Sequence, residues 1–188
     1  PALRRAVASS VSASRGIAID PELVCVTPGA KPPIGYSVQT YVNPGDEVIY
    51  PSPGFPIYES WITYMGANPV PLHLEESRGF SFAAADLEKL ITPATKLIFI
   101  NSPSNPTGGV LSREDLEEIA VVIRDKGRDD IRIYSDEVYE EIVFDGLNHV
   151  SIASMPGMAE KTVLVSGHSK SFAMTGWRLG FAILPTRA

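Results

Sequence analysis

Short apolar runs alternate with amphipathic stretches along the chain, the pattern of a mainly parallel β-sheet whose strands are joined by helical crossovers. The runs predict strands at Leu23–Thr27, Glu47–Tyr50, Pro69–Leu74, Lys96–Asn101, Ile131–Ser135, Thr162–Ser166 and Leu179–Leu184. Between them the pattern predicts helices at Leu3–Arg15, from about Pro33 to Val42, and at Ile57–Met65, Ala84–Ile91 and Arg113–Asp125. The helix at Arg113 carries the best start signal. Ser112 can cap it, Asp115 stands where an imperfect capping box would place its acid, and Leu116, Ile119, Ala120 and Ile123 fall on one face. The expected fold class is α/β, with helices on both faces of a mostly parallel sheet.

Turn residues cluster just after the predicted strands. Pro28-Gly29, Pro51-Ser-Pro-Gly54, Ser102-Pro-Ser-Asn-Pro-Thr-Gly-Gly109, Ser135-Asp-Glu137 and Gly167-His-Ser-Lys170 each follow one. In an open α/β sheet, ligands bind beyond the carboxyl ends of the strands. These loops should therefore gather on one rim, which is where chemistry is sought.

Composition narrows the classes. The 188 residues carry 16 Lys plus Arg against 22 Asp plus Glu, a net charge of −6. That balance disfavours a nucleic-acid or anionic-membrane surface, although it allows a local anion site. A lone cysteine, Cys25, makes no internal disulfide, and with 3 His the chain is a poor metal inventory. No apolar run approaches a membrane span, and the opening Pro1-Ala-Leu-Arg-Arg has no signal-peptide pattern, so a cytoplasmic protein is expected. No repeat or linker-like stretch divides the chain, and one domain is expected.

Several residues on the rim could carry chemistry. Lys170, just past a strand, could be desolvated into a nucleophilic amine, although taken alone a lysine there reads first as a surface residue. Arg178, eight residues on, could grip a phosphate bidentately or make an ordinary salt bridge. Asp136, at the end of an interior strand, needs a cation or a ring N–H, unless it or Glu137 caps a helix. Tyr139 could turn its hydroxyl to the same side. Asn105 heads a rigid Asn-Pro-Thr-Gly loop, and Phe55 could be a platform for a ring or a core aromatic. Thr27-Pro-Gly-Ala-Lys31 sets a turn before a helix start, where the N–H groups of Ala30 and Lys31 favour an anion.

The order and spacing of these residues are similar to one family. PGDEV (44–48), NSPSNPTGG (101–109), SDEVY (135–139) and SGHSKSFAMTGWRLG (166–180) resemble the class I/II, fold-type I aminotransferases that use pyridoxal 5′-phosphate, the aspartate aminotransferase superfamily. The last stretch is the most specific, and the resemblance runs from Leu3 to about Leu184. It implies that Lys170 holds the cofactor through its aldehyde and later shuttles the substrate proton. Asp136 pairs with the pyridinium nitrogen, keeping the ring an electron sink. Asn105 and Tyr139 hydrogen-bond the ring oxygen, and Phe55 stacks on the ring. Arg178, Ser169 and the N–H groups of Ala30 and Lys31 hold the phosphate. The bonds before Pro53 and Pro106 are often cis in the family.

The resemblance implies amino transfer between an amino acid and a 2-oxo acid, and a homodimer. It also identifies residues 1–188 as the cofactor-binding large domain, without the N-terminal arm and C-terminal small domain. The sequence departs from the family at His168, where the signature is usually apolar or aromatic, at Gly167, which lacks a hydroxyl, and at Pro32-Pro33 after the phosphate turn. His168 is expected to stack beside the cofactor loop. Two alternatives stay open: the same scaffold running C–S lyase or other cofactor chemistry, and a non-catalytic cofactor-binding fragment or sensor domain.

Overall fold

In the computed structural model, residues 2–185 are described. The strands are β1 (Val24–Thr27), β2 (Glu47–Ser52), β3 (Asn68–His73), β4 (Thr95–Asn101), β5 (Arg132–Asp136), β6 (Thr162–Gly167) and β7 (Gly180–Ile183). They form one 7-stranded sheet in the order β1-β7-β6-β5-β4-β2-β3. Strands β2 to β6 pair in parallel, while β7 runs antiparallel to both β6 and β1. The α/β architecture is the one the sequence led us to expect, and the reversed last strand is the one the family resemblance implies.

The helices are α1 (Ala2–Arg15), α2 (Pro32–Tyr41), α3 (Ile57–Tyr64), α4 (Ala84–Leu90) and α5 (Arg113–Lys126). Helix α5 begins with a complete capping box. The Ser112 hydroxyl accepts from the Asp115 N–H at 3.0 Å, and the Asp115 carboxylate accepts from the Ser112 N–H at 2.9 Å. Aspartate thus fills the role usually given to the longer glutamate.

Side-chain alternation along the strands divides the core between the two faces. Val48, Leu97, Phe99, Tyr134 and Val163 pack under α2 and α3, against Ile34, Val38, Tyr58 and Ile62. Ile49, Ile98 and Ile133 turn the other way, against Leu87 of α4 and Leu116, Ile119 and Ile123 of α5. On that second face, nearer the β1 edge, Leu164 and Phe181 meet Val7, Ala8 and Val11 of α1. Full burial of each such aliphatic side chain is worth about 1.5–3 kcal/mol relative to exposure.

The same alternation sorts the end of β5. Tyr134 and Asp136 face α2 and α3, while Ile133, Ser135 and Glu137 face the α1–α5 side. Asp136 is the last residue of its strand rather than the first beyond it, and lies opposite Asn101 of β4 and Val165 of β6. No helix follows it, so neither Asp136 nor Glu137 is a cap; the chain enters a short turn instead. Among the described residues, no helix is long and apolar enough to cross a membrane.

Candidate functional site at the carboxyl rim of the sheet

The parallel strands end on one rim, and there the loops enclose a cleft of about 370 Å³. Every candidate named from the sequence lines it: Ala30 and Lys31 after β1, Phe55 after β2, Asn105 after β4, Asp136 and Tyr139 around the end of β5, and Ser169, Lys170 and Arg178 between β6 and β7. They arrive from loops up to 148 residues apart in sequence because parallel connections return each strand end to the same edge.

The floor is Asp136. Its carboxyl is buried, and burial pushes it up to about 6, partly offset by the Tyr58 hydroxyl that donates to Oδ2 at 2.7 Å. Oδ1 has only a 3.5 Å contact from the Val138 N–H, and no ion pair reaches Asp136 among the described residues. A buried acid with spare acceptor capacity toward a cleft is suited to a cationic ring N–H.

Tyr58 is a residue that sequence reasoning missed. It stacks on Phe99 with centroids 4.6 Å apart and meets Phe55 edge-on at 5.7 Å. Lying four residues before Ile62, it reads as one more core position of α3. The available signal was its hydroxyl, which must find a partner when buried. Burial and the adjoining Asp136 keep that hydroxyl protonated, so it acts as a donor. Replacing Tyr58 by Phe keeps the packing and deletes a charge-assisted hydrogen bond of about 1.5–3 kcal/mol. Because that bond favours the ionised acid, the Asp136 titration should move upward from about 6. Carboxyl-carbon NMR of the labelled protein measures this, and an unmoved titration contradicts it.

At the opposite end, Arg178 adopts a left-handed conformation with φ 50°. Its Nη1 donates to the Thr175 carbonyl at 2.9 Å and its Nη2 to the Pro28 carbonyl at 3.1 Å. Glycine permits this close approach. A Cβ on Gly29, whose φ is 89°, would lie 2.3 Å from Arg178 Nη2. One on Gly180 would lie 2.4 Å from the Gly29 carbonyl carbon. Pro32 and Pro33 contribute no N–H to the start of α2, which leaves the N–H groups of Ala30 and Lys31 for an anion. A guanidinium beside a helix start is a phosphate-type donor set.

Lys170 departs from expectation. It is exposed at the cleft mouth rather than buried, with Nζ 5.7 Å from the Tyr139 ring centroid. The loop after β6 leaves the sheet at Gly167, and no described element roofs it there. Asn105 is half-buried, its N–H held by the Asn101 side chain at 2.8 Å. His168 does not line the cleft; it stacks on Phe172 at 5.1 Å and meets Phe181 edge-on at 6.4 Å. The bonds before Pro53 and Pro106 are cis, as is the one before Pro103, which was not expected.

A mostly parallel sheet with an amine, a buried acid and an anion-type donor set around one rim cleft defines an α/β protein with a candidate ligand site at its carboxyl rim. The comparisons carry this further. The family model for aminotransferase class I and II matches residues 1–188, and the chain belongs to that family. It is 43% identical over 184 residues to aromatic-amino-acid aminotransferase 2 of Thermococcus litoralis, covering 97% of this chain and 46% of that protein. It is 41% identical over 187 residues to an aspartate aminotransferase of Pyrococcus abyssi, covering 99% and 47%. The structure of N-succinyldiaminopimelate aminotransferase from Mycobacterium tuberculosis superposes with a TM-score of 0.91 at 39% identity, covering 97% of this chain and 47% of that one. The chain thus spans just under half the length of these relatives.

Proposed function

We propose that the chain is the cofactor-binding large domain of a pyridoxal 5′-phosphate-dependent aminotransferase, which moves an amino group between an amino acid and a 2-oxo acid. The observation that carries this reading is the convergence of Lys170, Asp136 and Arg178 on one cleft. The cofactor supplies an aldehyde carbon to carry the amino nitrogen and a ring that accepts electrons from the substrate α-carbon. Lys170 holds the aldehyde end through its amine and moves the proton at the substrate α-carbon. Asp136, oriented by Tyr58, grips the ring nitrogen and keeps it protonated. Asn105 and Tyr139 donate to the ring oxygen, and Phe55 covers a ring face. Arg178, the Ser169 hydroxyl and the N–H groups of Ala30 and Lys31 bind the phosphate.

The proposed assembly is a cytoplasmic homodimer. Trp177, Phe172 and Tyr36 are exposed by 76%, 59% and 56%, large apolar area of the kind a partner covers, and the free thiol of Cys25 suits a reducing compartment. The relatives' names specify different amino acids, so the substrate is found by assay. The full-length protein, loaded with pyridoxal 5′-phosphate, should convert a panel of 2-oxo acids to amino acids when given an amino donor. Release of pyruvate and thiol from a cysteine-type substrate, without a new amino acid, would overturn amino transfer in favour of C–S cleavage.

A further inference from the structure

Behind the cleft, on the α1 side of the sheet, lies a second polar cluster that lines no part of it. Arg15, in the last turn of α1, is 7% exposed at its side chain, and Glu137 is 1% exposed. Arg15 donates to Glu137 Oε2 through Nε at 3.0 Å and Nη2 at 2.8 Å, and Nη2 also contacts Glu140 Oε2. His149 Nε2 lies 3.0 Å from Glu137 Oε2. The hydroxyls of Ser135 and Ser151 donate to Glu137 Oε1 at 2.8 and 2.5 Å. Glu140 Oε1 accepts from the Ser166 hydroxyl at 2.7 Å.

The carboxylates and imidazole here lie within 4.8 Å of one another, a spacing that could suit a metal ion. The guanidinium of Arg15 already supplies the positive charge between the two acids. As a source of stability such a cluster is inefficient, since desolvating buried ions offsets much of their attraction. What it does well is hold geometry.

Each member touches a segment that carries a cleft residue. Glu137 directly follows Asp136, the last residue of β5, and its N–H continues the ladder to the Val165 carbonyl of β6 at 2.8 Å, so its pinned side chain on one face sets the direction of its neighbour on the other. Tyr139 lies between Glu137 and Glu140, so the Arg15 bridge closes the turn that presents it. Ser166 is in β6, four residues before Lys170. The Ser154 hydroxyl, donating to the Arg15 carbonyl at 2.8 Å, anchors the end of α1 itself. We propose that Arg15, together with Glu137 and Glu140, is a positioning device that sets Asp136 and Tyr139 against the strand end bearing Lys170. This inference rests on the function proposed above. Burial alone would raise the Glu137 carboxyl, but His149, Arg15 and Ser151 outweigh it and hold it down to about 2. Glu137 therefore keeps its charge throughout the neutral range.

The test compares two ligands on the full-length protein freed of cofactor: pyridoxal 5′-phosphate and its analogue with a C–H in place of the ring nitrogen. Only the first can use Asp136, so the unaltered protein should prefer it by about tenfold or more, the worth of a charge-assisted hydrogen bond. Glu137→Gln should reduce that preference at least about threefold, with affinity for the carbon analogue falling by less, since that ligand feels only the displaced Tyr139. Arg15→Lys keeps the charge but cannot fork between two acids, and should move the preference the same way if Glu137→Gln fails to fold. A preference unchanged in the folded variants, or parallel loss of both affinities, overturns the positioning role. The Asp136→Asn variant separates the two proposals. If it keeps the preference, the assignment of Asp136 fails and takes this inference with it; if it loses the preference while the Glu137 and Arg15 variants keep it, only the inference fails.

Discussion

Replacing Lys170 by alanine is expected to abolish covalent capture of pyridoxal 5′-phosphate and to lower amino transfer by about 10⁴-fold or more, the upper range for losing a positioned proton-transfer group. The cleft holds a second amine, that of Lys31, so the prediction is a choice between two side chains. Lys31 precedes α2 and lies with Nζ 5.7 Å from the Phe55 ring centroid, at the anion-binding end. Lys170 lies beside Tyr139, three residues after the Gly167–Gly180 pair that closes the β6–β7 ladder. Borohydride reduction followed by peptide mass analysis reads the attachment point directly. Lys31→Ala should leave the label on Lys170 and weaken cofactor binding only modestly. A Lys170→Ala protein that still fixes the cofactor, on Lys31 or elsewhere, removes Lys170 from the proposed role.

Much of the fold was legible because the sheet is parallel and buried on both faces. Runs such as Lys96–Asn101 and Thr162–Ser166 leave little doubt about period or boundary, and the observed strands begin and end within a residue or two of them. The candidate cleft was legible for a related reason: each loop after a parallel strand returns to the same rim, so the order of the loops already groups their residues. Contacts across long sequence distances were not legible. Tyr58 reaches Asp136 over 78 residues and Arg15 reaches Glu137 over 122, and both look locally like ordinary helix positions. Glu137 read as a possible cap because an acid after a strand is a common helix start; the structure spends it on Arg15 instead. The exposure of Lys170 was missed as well. Burial of the strand before it says nothing about what covers the loop, and the cleft opens on that side.

Asp136→Asn is expected to separate function from stability, and this follows from the energetics of one carboxyl. In the cofactor-free protein Asp136 ionises at about 6, against 3.8 in an unperturbed chain, because burial disfavours its charge. An acid raised on folding binds its proton more tightly in the folded state. Stability therefore declines as pH rises from 3.8 to about 6, and above that the loss is complete, on the order of 3 kcal/mol. Asparagine keeps an acceptor for the Tyr58 hydroxyl and has no charge to desolvate. The cofactor-free full-length variant should therefore melt higher than the unaltered protein at pH 7, with the gain vanishing as pH falls toward 4. With cofactor added, the same change should slow amino transfer by about 10²–10³-fold, the usual effect of deleting one preorganised electrostatic partner of the reacting system. Melting curves at the two pH values and single-turnover rates test both halves. A variant that is less stable at pH 7, or that transfers amino groups at a near-normal rate, would show that the buried charge of Asp136 is not held in reserve for the ring nitrogen.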